Sequence, residues 1–488
     1  MTENSNTSHS RVGVIDVGSN SVRLVVFDGM ARSPAYFYNE KVLCGLGRGL
    51  AETGRLNPEG RVRAMAALKR FATLMKGMDV GELSGVATAA VREALDGAEF
   101  VEEVLAETGL ELRVATGVEE AALSAKGILL GWPDASGLVC DIGGASMELA
   151  RLSDGVIGAC DTSPLGPLKL KDYHGDLDRY IQDEVAKLLT VVGGACERLY
   201  LVGGSWRALA RLDMVRRGYP FHVLHEYRLT SEQIRDTVTW VQEQDLEALG
   251  EHTETSAERL ALVPMAAKVM DSLIDQLQPA EIVISSYGLR EGMLYEAMPE
   301  SMRSLDPLVE ACRQMEKTQA RFPGFGQVLY EWLRPLYMDR EGAEKRLILA
   351  ACLLHDTSWQ AHPDYRAEMC FESITRANLG GVNHRERLFL GLAILSRYKN
   401  AGLYAPVMEL LSEKDIRNAV ILGKAMRLGA MISGAQAGLS DEASIAISEG
   451  KLVLKLMGDG CELNGEIVEK RLASLAGQMG LEPVLELG

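Results

Sequence analysis

Two stretches 125 residues apart repeat one pattern, and few folds accommodate it. "VIDVGSNSVRL" (Val14 to Leu24) returns as "VCDIGGASMEL" (Val139 to Leu149), with Asp16 and Asp141 in equivalent places. Each copy reads as an apolar strand, an aspartate, a turn of small residues, then a second strand. Two α/β halves opened in the same way suggest two related lobes facing across a cleft. In the first copy Val22, Leu24 and Val26 alternate with Arg23, Val25 and Phe27, all good strand formers. The turn itself, Asp16 to Ser21, admits two readings. One is an ordinary β-hairpin. The other is a phosphate-binding turn, in which Gly18 lets backbone N–H groups approach an anion while Ser19, Asn20 and Ser21 add donors. Asp16 would repel phosphate unless a cation or water lies between, so the pattern directs attention to a metal.

The rest of the chain extends this organisation. Strand candidates at Val12–Val17, Val22–Phe27, Leu83–Ala87, Leu112–Ala115, Leu138–Asp141, Leu199–Val202 and Ile282–Ser285 are separated by helical stretches. That alternation predicts an α/β architecture with its site at strand ends. In "NPEGRVRAMAALKRFATLMKGM", Asn57 can cap and Pro58 suits the first turn. Val62, Met65, Ala66, Ala72 and Met75 recur there at helical spacing. From Ser304 onward helical patterns dominate, until "ASIAISEGKLVLKL" predicts a hairpin turning at Glu449-Gly450. The resulting division is residues 1–130, 131–304 and 305–488, close to the roughly three domains that such a length suggests.

Composition narrows the function. A net charge of −17 over 488 residues argues against a generic nucleic-acid binder, which is usually basic. A polyanionic ligand would need a local basic groove or a metal to offset that field. No apolar run approaches the roughly 18 residues of a membrane span. The polar start "MTENSNTSHS" does not read as a signal peptide. The eight cysteines form no C-x-x-C pair and read as free thiols of a cytoplasmic protein.

Several further turns carry candidate chemistry. In Asp141-Ile142-Gly143-Gly144-Ala145-Ser146-Met147-Glu148, glycine amides sit between two carboxylates. Asp141 and Glu148 could share Mg²⁺, which prefers oxygen ligands and keeps several waters, or they are two exposed acids of a hairpin. "GLGRGL" (Gly45 to Leu50) lacks the G-x-G-x-x-G spacing and reads as a flexible loop. "ATGVEEAALSAKGILLG" places Glu119 and Glu120 in the first turn of a helix. There they either complement the helix dipole or supply a general base. "ATAAVREA" puts Arg92 at a strand-to-helix junction, suited to clamping phosphate oxygens. "VGGSWRAL", with Gly204 and Arg207, and "SYGLREGML" are further glycine-bearing turns of this kind. Four such turns with paired acids favour phosphoryl chemistry.

Taken in order and spacing, "DVGSNSVRL", "ATGVEEA", "DIGGASMEL", "VGGSWRALA" and "YGLREGML" make the chain resemble the exopolyphosphatase / guanosine pentaphosphate phosphohydrolase (Ppx/GppA) family, closely from Arg11 to Met298. The resemblance implies two ribonuclease-H-like lobes of the actin-like ATPase superfamily and a cleft between them. It implies Glu120 as the catalytic glutamate and Asp141 and Glu148 as metal-associated acids, with Asp16 on the opposite jaw. It implies phosphate loops at Gly18, Ser19, Asn20 and Ser21 and at Gly143, Gly144, Ala145 and Ser146. Arg92 falls on the family's phosphate-contacting arginine, and Arg23 and Arg207 are further contacts by position. Lys169, in "LGPLKL", stands where many relatives have arginine, and Ala145 stands where the family often has a third glycine. The implied cofactor is Mg²⁺, with K⁺ as a possible activator, and the implied assembly is a homodimer.

The C-terminal part resembles a helical HD-type domain through His355-Asp356 in "LAACLLHDTSW". No histidine lies between His252 and His355, and Lys399 stands where a further histidine would be sought, so a structural domain is expected rather than a second metal centre. The expected reaction is hydrolysis of a terminal phosphoanhydride, of inorganic polyphosphate first and of guanosine pentaphosphate as the alternative. A catalytically silent nucleotide sensor and a kinase or ATPase of the same superfold are the readings from other classes.

Overall fold

The central strand of each lobe is buried on both faces, which explains its continuous apolar run. The computed structural model describes residues 10–245, 255–399, 406–435 and 439–488. They fall into two compact units, residues 1–305 and 306–488.

In the first unit, β1 (Arg11–Val17), β2 (Ser21–Phe27), β3 (Tyr36–Leu43), β4 (Val80–Ala87) and β5 (Arg113–Val114) form a sheet ordered β3-β2-β1-β4-β5. A second sheet holds β6 (Gly137–Ile142), β7 (Met147–Ser153), β8 (Val156–Ser163), β9 (Arg198–Val202), β10 (Tyr227–Leu229) and β11 (Glu281–Ile284), ordered β10-β11-β9-β6-β7-β8. Both sheets run three antiparallel strands and then parallel additions on the side of the first strand, and the second sheet ends in β10, antiparallel to β11. The repeated sequence pattern is therefore a repeated topology. These are two ribonuclease-H-like lobes of the actin-like ATPase fold.

Helix Pro58–Gly77 covers the first sheet. Asn57 accepts a hydrogen bond from the Gly60 N–H, and Pro58 occupies the first turn. Its buried stripe runs through Ala64, Leu68, Phe71 and Met75. Val62, expected on that stripe, is instead 71% exposed, and Ala66 is exposed too. The stripe lies on the neighbouring rows because the larger Leu68 and Phe71 take the sheet contact.

Helix Gly117–Gly131 belongs to both lobes. Its Leu123 and Leu130 pack with β1 residues Val12 and Val14, while Ala121, Ala125 and Ile128 pack with Val139 and Tyr200 of the second lobe. Helix Leu289–Ala297 crosses it at glycines. A Cβ on Gly292 would lie 1.7 Å from the Leu123 carbonyl oxygen, and one on Gly127 would lie 2.3 Å from that of Gly288.

The second unit is mainly helical, from Pro307–Gln319 to Glu413–Ile432, and closes with a three-stranded sheet. The expected hairpin pairs β12 (Ala443–Ser448) with β13 (Lys451–Leu456), and its turn has Glu449 at φ 49° and Gly450 at φ 74°, the two positive angles that a type I′ turn needs. A parallel strand, β14 (Glu482–Leu487), joins through helix Glu466–Met479, an addition the hairpin pattern did not predict. All eight cysteines are free. No helix of the described residues is long and apolar enough to cross a membrane.

Candidate active site

The two echoed hairpins make the same turn. Gly18 N–H donates to Ser21 O at 3.0 Å, and Gly143 N–H donates to Ser146 O at 2.9 Å. Register then sets what each hairpin presents. In the first lobe Asp16 on β1 pairs with Arg23 on β2, which pairs with Lys41 on β3. In the second lobe Asp141 on β6 pairs with Glu148 on β7, which pairs with Thr162 on β8. Cross-strand partners share a face. One row therefore runs acid, cation, cation, and the equivalent row runs acid, acid, hydroxyl.

Both rows reach one cavity of about 300 Å³. It is bordered by Asp16, Gly18, Ser19, Asn20, Ser21, Arg23, Glu120, Asp141, the Gly143–Ser146 turn, Glu148, Gly204 and Arg207, all expected from sequence. Gly203, before that last turn, sits at φ 111°, where a Cβ would lie 2.5 Å from the Ile142 carbonyl oxygen, so only glycine brings the turn this close to Asp141. "GLGRGL" is a buttress rather than a loose loop. Gly47 N–H donates to Ser19 O at 2.8 Å, Gly45 N–H donates to Asn20 O at 3.0 Å, and Leu46 is fully buried.

Helix capping separates the two adjacent glutamates. Thr116 and Glu119 form a capping box, and the Glu119 carboxylate accepts from the Thr116 backbone at 2.7 Å and from its hydroxyl at 2.9 Å. Glu119 is thereby spent on the helix end. Glu120, turned about 100° further round the helix, is buried and faces the cavity. Burial pushes its carboxyl up to about 7; hydrogen-bonded Arg92 opposes this, and the charges of Asp141 and Asp16 add to it. Ser124, one turn on, donates to Asp141. Glu148 accepts from Thr162 at 3.1 Å. Burial pushes the carboxyls of Asp16, Asp141 and Glu148 above the ordinary range as well.

Beside these acids lies a cationic wall. Lys41, Arg259 and Arg290 join Arg23 and Arg207 on the cavity. Burial, then repulsion from Arg290, pushes Arg23 and Arg207 down to about 10. Burial followed by the Arg259 charge lowers Lys41. A second cavity of about 310 Å³ continues from this wall, sharing Arg23, Arg207 and Arg259 and adding Arg211. Among the described residues bordering either cavity, none is aromatic.

Two expected residues lie off the cavity. Arg92 donates to Glu120 and, at 2.7 Å, to the Ala115 carbonyl. Lys169 pairs with Glu93 at 2.8 Å. In the second unit, fully buried His355 bonds through Nδ1 with Cys352 O at 2.8 Å. Burial pushes it down to about 3, so it is neutral. Asp356 accepts from Arg321 at 2.7 and 2.8 Å and lies 3.6 Å from Arg397. Lys399 pairs with Glu368 at 2.6 Å. Guanidinium groups thus take the carboxylate that an HD-type metal would need.

A two-lobed actin-like fold with adjoining acidic and basic walls around glycine turns defines a phosphoryl-handling class. The chain belongs to the Ppx/GppA phosphatase family, which it matches over residues 25–301, and residues 309–484 match the exopolyphosphatase C-terminal family. It is 25% identical over 300 residues to exopolyphosphatase 1 of Mycobacterium tuberculosis, covering 58% of this chain and 87% of that protein. It is 24% identical over 441 residues to the guanosine-5'-triphosphate,3'-diphosphate pyrophosphatase of Vibrio campbellii, covering 86% of each. The crystal structure of the Aquifex aeolicus Ppx/GppA family member superposes with a TM-score of 0.51 at 25% identity, covering 59% of this chain and 97% of that one.

Proposed function

We propose that this phosphatase is an exopolyphosphatase, releasing orthophosphate from the end of inorganic polyphosphate. The carrying observation is the charge lining of the cleft. Carboxylates of Asp16, Glu120, Asp141 and Glu148 and the cations Arg23, Lys41, Arg207, Arg259 and Arg290 border one cavity, and the second cavity continues from Arg23, Arg207 and Arg259 to Arg211, where further phosphates would lie. A guanine base would call for stacking or edge recognition, and the described lining offers no aromatic side chain. That favours polyphosphate over guanosine pentaphosphate, although the nucleotide-cleaving relative aligns along more of the chain.

Glu120 takes a proton from the attacking water as the water oxygen bonds the terminal phosphorus and the bridging oxygen leaves with the shortened chain. In the metal-free protein burial holds that carboxyl near 7, and a cation bound by the neighbouring acids would lower it, favouring the carboxylate that accepts the proton. Turn amides other than those of Gly18 and Gly143, which close the two turns, receive the phosphoryl oxygens, and Arg23, Arg207 and Arg290 hold the following phosphates. Asp16, Asp141 and Glu148 fit a Mg²⁺-type cation, because burial alone disfavours so many ionised acids in one cavity. Among the described residues, no three acidic, histidine or cysteine side chains converge on one metal position. At most two of these acids would therefore touch one such cation, with waters and phosphate oxygens supplying its remaining ligands. When bound, such a cation would neutralise charge on the transferred group. The same reading carries K⁺ as an activator, a cytoplasmic location and a homodimer; mass photometry tests the last.

Phosphate release from long-chain polyphosphate and from guanosine pentaphosphate, measured in parallel with Mg²⁺, tests the reading. Faster release from polyphosphate is expected. Preference for the nucleotide would move the substrate assignment, and silence on both would favour a sensor.

The cation assignment has a readout without turnover. The raised carboxyls of Asp16, Glu120, Asp141 and Glu148 mean that the metal-free folded protein holds protons the unfolded chain has already lost. Stability from these groups is present below the ordinary carboxylate range and is lost as pH rises through about 7, the value for Glu120. Mg²⁺ should therefore raise Tm by several degrees more near pH 8 than near pH 5.5. Equal shifts at both values would remove these acids from its ligand set.

A further inference from the structure

The contact between Glu93 and Lys169 joins the two lobes at the cleft, and each partner is one residue from a group that shapes the reaction site. Glu93 ends helix Ala89–Glu93, and the residue before it, Arg92, holds both Glu120 and the Ala115 carbonyl. Lys169 lies in helix Pro167–Lys171, where the N–H of the preceding Leu168 donates to Gly144 O at 2.9 Å. Gly166, at the start of that helix, packs so closely on the second phosphate turn that a Cβ would lie 2.2 Å from the Ala145 carbonyl carbon. The Lys169 Nζ reaches both Glu93 carboxylate oxygens, at 3.0 and 2.8 Å.

We propose that Glu93 and Lys169 are positioning residues whose ion pair forms when the lobes close, setting Glu120 against the Gly143–Ser146 turn. This rests on Glu120 acting as the base. The two side chains are 38% and 32% exposed, so water screens the pair and keeps it weak. A weak pair is free to open and re-form as the lobes move. Direct phosphate binding by Lys169 would be a different role, because a substrate contact would not need Glu93.

The test is charge reversal on the full chain, with long-chain polyphosphate and Mg²⁺. Glu93→Lys should lower kcat about threefold to tenfold without raising KM, since like charges then face each other across the cleft mouth. Lys169→Glu should lower kcat similarly. The double variant Glu93→Lys/Lys169→Glu should recover most of kcat, and about 0.5 M salt should shrink the differences. Unfolding temperatures should stay together throughout. Unchanged kcat in Glu93→Lys, or a double variant no better than the worse single one, overturns the proposal. Glu120→Gln run beside them separates the two levels. If that variant keeps its turnover, the role of Glu120 fails first; if it is silent and the swap does not rescue, only the latch fails.

Discussion

Glu120→Gln is expected to lower kcat on polyphosphate by about three orders of magnitude, within the range removed with a general base, while KM changes less than about threefold. The amide keeps the side chain's size, and it imitates the protonated form that already has a large population near pH 7. Folding should therefore survive, leaving Arg92 bonded to Ala115 O. Glu119→Gln is the matched control. The capping-box position takes glutamine as well as glutamate, as Gln233 does after Thr230, so the box and the stability should persist and kcat should stay within about threefold of wild type. Phosphate release and thermal unfolding of both variants check the pair. The reverse outcome, silence in Glu119→Gln and activity in Glu120→Gln, would falsify the assignment of the base.

Much of this site was legible because its two jaws are copies. Aligning the hairpins sets Arg23 against Glu148, and that one difference in sequence becomes the difference between the cationic and acidic rows. The residues alone left Glu119 and Glu120 undivided and only the family resemblance chose Glu120, although Thr116, three residues before Glu119, is a capping-box signature that separates them. Lys41, Arg259 and Arg290 were missed as site residues for a physical reason. A lone basic residue looks like any solvated charge until the fold gathers several. β3 alternates exposed and half-buried residues, a weak apolar signal, and without β3 the register that sets Lys41 beside Arg23 cannot be drawn. Edge strand β8 hid for the same reason. Arg92 and Lys169 show the converse. Their position matches phosphate-binding turns, yet the partners that hold them, Glu120 and Glu93, come from other segments.

Gly292→Ala is expected to destabilise the first unit by about 3 kcal/mol or more, lowering its unfolding temperature by at least about 5 °C. The new methyl group would lie 1.7 Å from the Leu123 carbonyl oxygen, a backbone atom that no rotamer change can move aside. Helices Gly117–Gly131 and Leu289–Ala297 would have to separate. The first carries Glu120 and Ser124, and the second opens beside Arg290, so relief of the clash shifts the acidic wall and the cationic wall against each other. Turnover should fall further than stability alone accounts for when measured well below the transition, because misplacement of a base by about 1 Å can cost about a hundredfold. Gly77→Ala is the control, since it meets nothing within 4 Å at the exposed end of helix Pro58–Gly77 and should leave both quantities near wild type. Wild-type unfolding temperature and turnover in Gly292→Ala would mean that the two helices do not cross at backbone contact, and the coupling of the walls through that crossing would fall with it.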